Sequence, residues 1–406
     1  MSSHNSFSAA TNPSSVRMLS LLKALGSPQN TLKFIHVAGT NGKGSVCSIL
    51  AEILTKSKYK TGKFTSPHLI KPNERISIDG ENISNNDLNR LLATVTKTAE
   101  SIENCTLFEI YLGVSLLYFF ERHTDIVILE TGLGGRLDAT NVIKNPLLSI
   151  ITKIALDHQA YLGNTLKEIA TEKAGIIKEN SKTLVLTQAP EVLDVFITHC
   201  AKKSSSLIVT GPLTLESING YHEIFSYSHL KNLECGLGGV HQPYNAALAI
   251  ESAFILKNLG YIISDDDIRY GVLNAKNIGR FEVLSNSPIT IFDGGHNTDG
   301  ILSLHQSIKR YFKSTSVSYL VGMMKDKDIN EMLDALADKD ATFYPVAVPN
   351  YDRALDIESL GKAMKNHGLK VVACSDIEKA LAHAKANSEV VIICGSLYLY
   401  EYVNKL

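Results

Sequence analysis

Net charge is almost absent from this 406-residue chain: 40 Lys and Arg face 41 Asp and Glu, leaving −1. That balance excludes a strong overall field of the kind that draws nucleic acid or an anionic membrane, while leaving a local anion site open. No run reaches the roughly 18 uninterrupted apolar residues of a membrane span. The polar start, MSSHNSFSAATNPSS, lacks the apolar stretch of a secretory signal, so a cytoplasmic protein is expected. Six cysteines show no C-x-x-C spacing and sit mostly within apolar runs. That argues against a zinc site or disulfide framework and predicts reduced, buried thiols. No G-x-S-x-G elbow appears, so acyl-enzyme chemistry has no support. No full G-x-G-x-x-G follows a strand, which speaks against a dinucleotide cofactor.

The length suits two domains rather than one, and the 44% apolar fraction is that of a globular protein. Short β-branched runs alternate with helical patterns, which implies an α/β fold with parallel sheets and helices on both faces. Strands are predicted at LKFIHVAG, TDIVILETG and LLSIITKI. In the second half they are predicted at ITIFDGG, VSYLVGM, TFYPVAV, LKVVACS and EVVIICG. FEIYLGVSLLYFFERH is too long for a strand and reads as a buried helix. Thr165-x-x-Glu168 is a capping box at a helix start. The polar, strand-rich region 204–236 is not placed by pattern. The stretch NAKNIGRFEV marks the domain boundary, giving domains 1–278 and 279–406.

HVAGTNGKGSVCSIL has the context of a phosphate loop: strand, glycine turn, helix. Its spacing departs from G-x-x-x-x-G-K-[ST], but backbone N–H groups and a helix N-terminus there suit phosphate, with Lys43 as a mobile cation. Ser66 follows a short strand; its hydroxyl is a hard oxygen that suits Mg²⁺, or the loop is simply stiffened by its prolines. Glu130 closes a strand beside that loop, where it would bind metal, cap a helix or pair with Arg136. His158 is a ligand or a structural histidine. GLGGRLDATN packs three glycines, Arg136 and Asp138 into one loop. Lys173 reads by pattern as a solvated lysine. Asp293 and His296 follow a strand in the second half, as substrate groups or as a turn.

Together these runs resemble the folylpolyglutamate synthase/dihydrofolate synthase family of the Mur ligases. The runs VAGTNGKGS, TSPHL…NER, VILETGLGGRLDATN, IALDH…LG, EKAGI, HQPYNAALA, IFDGGHN and CGSLYL carry the likeness over roughly residues 15–400. The resemblance implies the Mur ligase architecture: an ATP-binding domain with a phosphate loop and a mostly parallel sheet, then a smaller Rossmann-like glutamate ligase domain. It implies ATP-dependent amide ligation of L-glutamate to dihydropteroate, to folates, or to both, through an acyl phosphate. By this likeness Thr40, Asn41, Gly42 and Lys43 hold the ATP phosphates, and Asn245, Arg280 and Asp293 make further ATP contacts. Ser66, Glu130 and His158 ligate Mg²⁺, and Lys173 is carbamylated. Lys43, Lys173, Asp293 and His296 carry the chemistry, with His296 near the incoming amino acid. Thr106, Leu107, Phe108 and Glu109, with Leu137, Asp138 and Ala139, match pterin-binding segments. The stretch Ser14–Arg17 departs from the family's pterin-contacting pattern, and NIGRFEV has no proline before its glycine. A bifunctional enzyme acting as a monomer is expected. The rival readings are a monofunctional folylpolyglutamate synthase, a nucleotide switch without turnover and a cell-wall Mur ligase.

Overall fold

A computed structural model describes residues 14–313 and 315–406; residues 1–13 of the polar start read above lie outside them. The chain divides into two units. The first takes the described part of Met1–Thr214 with Phe225–Glu234 and Tyr244–Lys276. The second takes Leu215–Ile224, Cys235–Pro243 and Asn277–Leu406.

The first unit is built on eight strands: β1 (Phe34–Ala38), β2 (Thr61–Phe64), β3 (Ile76–Ile78), β4 (Glu81–Asn82), β5 (Ile126–Glu130), β6 (Leu148–Ile151), β7 (Lys182–Val185) and β8 (Ser206–Val209). Their order is β4-β3-β2-β5-β1-β6-β7-β8. The run from β2 to β8 is parallel, and β3 and β4 add antiparallel at one edge. Every residue of β1 and β5 is buried, as central strands covered on both faces require.

Helices α1 (Ser14–Ala24), α2 (Lys43–Lys56), α3 (Asn85–Ala99) and α4 (Leu107–Glu121) belong to this unit. The almost wholly apolar α4 is largely buried, and Thr106 and Glu109 close a capping box at its start. Met18, Leu22, Val95, Leu112 and Phe119 from these helices share one core with Phe34, Val127 and Leu129 of the sheet. Further along come α5 (Gln159–Leu162), α6 (Leu166–Ala174) and α7 (Pro190–Lys203). Ile169, Ala170 and Phe196 join Ala38, Ile151 and Val185 in a second core. Thr165 and Glu168 make the capping box that their spacing predicts.

The region left unplaced by pattern forms a three-stranded sheet of β9 (Leu213–Asn219), β10 (His222–Tyr227) and β11 (Leu230–Glu234) in the order β11-β10-β9. Two helices follow, α8 (Gln242–Asn258) and α9 (Asp265–Asn274).

The second unit holds β12 (Glu282–Asn286), β13 (Ile289–Phe292), β14 (Val317–Val321), β15 (Thr342–Pro345), β16 (Lys370–Val371) and β17 (Val390–Cys394), in the order β12-β13-β17-β14-β15-β16. Only β12, of these six, pairs antiparallel. Between them run α10 (Thr298–Tyr311), α11 (Ile329–Leu336), α12 (Ile357–Asn366) and α13 (Ile377–Asn387), where the periodicity predicts helices. The segment Leu215–Ile224 groups with this unit for a chemical reason. The fully buried Glu223 carboxylate accepts from Arg310 Nε at 2.7 Å, Arg310 Nη2 at 2.8 Å and the Tyr311 hydroxyl at 2.9 Å. Burying that charge is tolerable only because all three donors meet it.

All six cysteines are free thiols, with Cys47, Cys200, Cys235 and Cys394 buried and Cys105 and Cys374 half-buried. Among the described residues no helix is long and apolar enough to cross a membrane.

Candidate active site

The phosphate loop leaves β1 at Ala38 and enters α2 at Lys43. Two of its glycines are required by space as well as by backbone angle. At Gly39 φ is +147°, and a Cβ would fall 1.8 Å from Thr152 Oγ1. At Gly42 φ is +93°, and a Cβ would fall 2.3 Å from Asn245 Oδ1 on α8. The residues after β6 lace the loop in place. Thr152 Oγ1 donates to the Asn41 carbonyl at 2.7 Å, and Thr40 N donates to the Lys153 carbonyl at 2.8 Å. Ala155 N donates to Thr40 Oγ1 at 3.1 Å. The loop backbone is thus already ordered, and a glycine turn at a helix start is the kind of place that suits an anion.

Two lysines converge on this loop. Lys43 Nζ donates to the carbonyls of Gly39 at 3.0 Å and Thr40 at 3.2 Å. Lys173 Nζ, brought in by α6, donates to the same Gly39 carbonyl at 2.9 Å. Lys173 is only 4% exposed, so the solvated-surface reading of its pattern is wrong. The periodicity of a short helix does not reveal that its charged residue points at a neighbouring loop. Burial, then the nearby Lys43 charge, lowers Lys173 to about 7, against the pull of Asp157 and Asp138.

The Glu130 carboxylate is buried at the carboxyl end of β5, and Ser66 N donates to its Oε2 at 3.2 Å. The register aligns Glu130 with Val37 of β1, one residue before the strand runs out towards the phosphate loop. His158 precedes α5 with φ +52°; its backbone N–H donates to Asp157 Oδ1 at 2.8 Å, and its side chain is 42% exposed. Among the described residues no group of three His, Cys, Asp or Glu side chains is arranged as a closed metal cage. The Glu130 carboxylate is a hard oxygen donor of the kind that suits Mg²⁺.

The glycine loop after β5 is tied to α6. Arg136 N donates to the Glu172 carbonyl at 2.8 Å, its guanidinium pairs with Glu172 at 2.9 Å, and Asn141 Nδ2 donates to the Gly175 carbonyl at 3.0 Å. Asp138 is buried while Leu137 beside it is 44% exposed and Ala139 is buried. Leu107 is likewise exposed, and Phe108 sets its ring edge-on to Phe64 at 5.7 Å. Glu109 is turned inward. Its carboxylate accepts from Thr106 N at 2.7 Å, from Arg17 Nη2 at 2.9 Å and from the Ser14 hydroxyl. Ser14 and Arg17, whose sequence matches the family poorly, are thus spent on anchoring this segment.

In the second unit Asp293 follows β13 and is buried. Its carboxylate accepts from Phe281 N at 2.9 Å and Gly295 N at 2.8 Å, so it shapes its own turn. His296 Nδ1 lies 2.9 Å from the Gly294 carbonyl. Arg280 is half-buried, with its N–H donating to the Asn277 carbonyl at 3.2 Å. Sequence reasoning passed over Thr152, which carries no motif signal beyond following a strand.

Residues 37–253 match the Mur ligase middle domain, and residues 279–397 match the Mur ligase glutamate ligase domain. The chain belongs to the folylpolyglutamate synthase/dihydrofolate synthase branch of the Mur ligases. This Mur ligase is 35% identical to the dihydrofolate synthase/folylpolyglutamate synthase of Bacillus subtilis, over 99% of the chain and 96% of that protein. It is 33% identical to the probable dihydrofolate synthetase of Schizosaccharomyces pombe, over 94% and 95%. Among solved structures it resembles E. coli FolC in complex with DHPP and ADP, with a TM-score of 0.86, 30% identity and coverage of 99% and 94%. It also resembles Mycobacterium tuberculosis folylpolyglutamate synthase complexed with ADP and AMPPCP, with a TM-score of 0.87, 28% identity and coverage of 97% and 95%. The eight-stranded and six-stranded sheets fit the Mur ligase architecture, and the enzyme is an ATP-dependent glutamate ligase.

Proposed function

We propose that this ligase joins L-glutamate to dihydropteroate and also extends folates by poly-γ-glutamylation. The observation that supports this most is the double attachment of α6. Its Lys173 reaches the phosphate loop, and its C-terminal turn holds the Gly132–Asn141 loop, so one helix serves both the nucleotide and the acceptor side.

In this reading the N-terminal domain, 1–278, holds ATP and the pteroyl acceptor, and the C-terminal domain, 279–406, serves glutamate. Thr40, Asn41, Gly42 and Lys43 bind the ATP phosphates, Asn245 contacts adenine, and Arg280 and Asp293 make further nucleotide contacts. Leu137–Ala139 and Thr106–Glu109 contact the pteroyl ring, the latter through backbone and apolar groups because the Glu109 carboxylate is engaged. Ser66, Glu130 and His158 would hold Mg²⁺, which when bound supplies positive charge at the phosphate oxygens.

The acceptor carboxylate attacks the γ-phosphorus of ATP, giving an acyl phosphate and ADP. Lys43 offsets the charge gathering on the transferred group. The glutamate amine then attacks the acyl carbon and loses a proton, and the tetrahedral intermediate collapses with phosphate as leaving group. His296 stands for the incoming amino acid. Lys173 acts as a carbamate. The enzyme works as a cytoplasmic monomer.

Purified protein given ATP, glutamate and either dihydropteroate or tetrahydrofolate tests this. Glutamate-dependent ADP release with both acceptors is expected. Release with neither would sink the folate assignment. Release with dihydropteroate alone would leave a dihydrofolate synthase, the activity named for the S. pombe relative.

A further inference from the structure

His36 is a polar residue in the middle of an apolar face. It lies in β1 with nothing exposed, on the side shared by Phe34 and, across the register, Leu129. Its Nε2 stands 2.8 Å from Thr140 Oγ1, and that hydroxyl, also fully buried, donates to Asp138 Oδ1 at 2.5 Å. A hydroxyl has one hydrogen, so Thr140 must accept from the imidazole, and the proton of His36 sits on Nε2. Burial keeps the ring neutral, lowering it to about 3, with Lys178 adding to the effect. His36 Nδ1 is left bare and buried without a partner.

That arrangement is costly. An orphaned ring nitrogen in a core is unfavourable, and leucine would fill comparable space without it. What the histidine supplies is a directed donor. It orients the Thr140 hydroxyl towards Asp138, and such a chain polarises along its length. The Asp138 carboxylate collects the remaining donors from its own loop: Thr140 N at 2.9 Å on Oδ1, Leu133 N at 2.8 Å on Oδ2, and the Gly132 N–H. The whole Gly132–Asn141 loop therefore closes around one carboxylate, whose far anchor is β1.

We propose that His36 and Thr140 are positioning residues for pteroyl recognition, locking the Asp138 carboxylate and with it the backbone of Leu137–Ala139. This rests on the reading above that those three residues contact the pteroyl ring. An apolar replacement at either anchor lets the loop backbone wander while the phosphate loop, laced separately by Thr152 and Lys153, keeps its shape.

Steady-state KM values for the pteroyl acceptor and for ATP, measured on the parent, Thr140→Val, Thr140→Ser, His36→Leu and His36→Gln, test the proposal. Thr140→Val and His36→Leu are expected to raise the acceptor KM about tenfold, the scale of one lost hydrogen bond in a chain that ends on a charged group. The ATP KM is expected to stay at the parental value. Thr140→Ser keeps the hydroxyl, and His36→Gln places an amide N–H where Nε2 was; both are expected to recover the acceptor KM. Thr140→Val with a parental acceptor KM overturns the proposal, as does an equal rise in both KM values. If His36→Leu fails to fold, the Thr140 pair decides alone, valine keeping the shape without the hydroxyl and serine keeping the hydroxyl. A parent that turns over neither acceptor overturns the pteroyl reading and this proposal with it; parental turnover with an unmoved KM overturns this proposal only.

Discussion

The ammonium groups of Lys43 and Lys173 meet on one acceptor, the Gly39 carbonyl, at 3.0 and 2.9 Å. Burial, and after it the repulsion between the two cations, lowers Lys173 to about 7. A neutral amine at neutral pH can attack CO₂ carbon and shed a proton, becoming a carbamate. Its new negative charge then attracts Lys43 instead of repelling it.

Carbamylation is therefore expected to be reversible and measurable. Enzyme dialysed free of CO₂ loses activity and regains it with bicarbonate. ¹³C-bicarbonate gives a carbamate resonance in the parent and none in Lys173→Met. Equal activity with and without bicarbonate would rule the modification out as a requirement.

The same lysine sets a pH dependence of stability in the CO₂-free enzyme. Its folded-state value is about 7 against an ordinary 10.5. Between those values the unfolded chain binds the proton and the folded chain does not, so unfolding becomes harder as pH rises through that window. Below it the cost of burying the ammonium is present in full. Lys173→Met is expected to raise Tm by a few degrees at pH 6.5, with the gain shrinking towards pH 10. A gain that does not change with pH would contradict this.

Gly39→Ala combines a disfavoured φ with a Cβ 1.8 Å from Thr152 Oγ1. The backbone strain alone is on the order of 1–3 kcal/mol. Because Thr152 also holds the Asn41 carbonyl, the loop shifts as a whole. Fluorescent-nucleotide titration is expected to show affinity reduced at least about tenfold, the scale of 1.4 kcal/mol.

Arg17→Met removes the cation from the buried Glu109 carboxylate. Leaving such a charge without its partner costs about 3–5 kcal/mol. Urea unfolding should show the loss, and Glu109→Gln in the same background should recover part of it. An unchanged midpoint for Arg17→Met would mean that the pair is not carrying the α1–α4 junction.

Much of this was legible beforehand. Central strands such as β1 and β5 are apolar throughout and bounded by turn residues, so their pattern is unambiguous, and Thr165 with Glu168 marks a helix start by spacing alone. What escaped were relations at a distance. Glu109 looks like part of a substrate segment, yet its carboxylate closes a cap and an ion pair with a helix some 90 residues earlier. His36 reads as one more residue of a buried strand, because nothing local signals a bond to Thr140. Nor does a polar stretch such as Leu213–Glu234 reveal that it pairs with itself as a small three-stranded sheet.

The Glu223 carboxylate has a consequence for anyone dividing this protein. A fragment begun at Asn277 would keep Arg310 and Tyr311 but discard the acid they share, leaving the guanidinium and the hydroxyl without their common acceptor. The C-terminal unit is thus not an autonomous module that can be trimmed by sequence position. A usable excision would have to carry Leu215–Ile224 along, for instance by circular permutation.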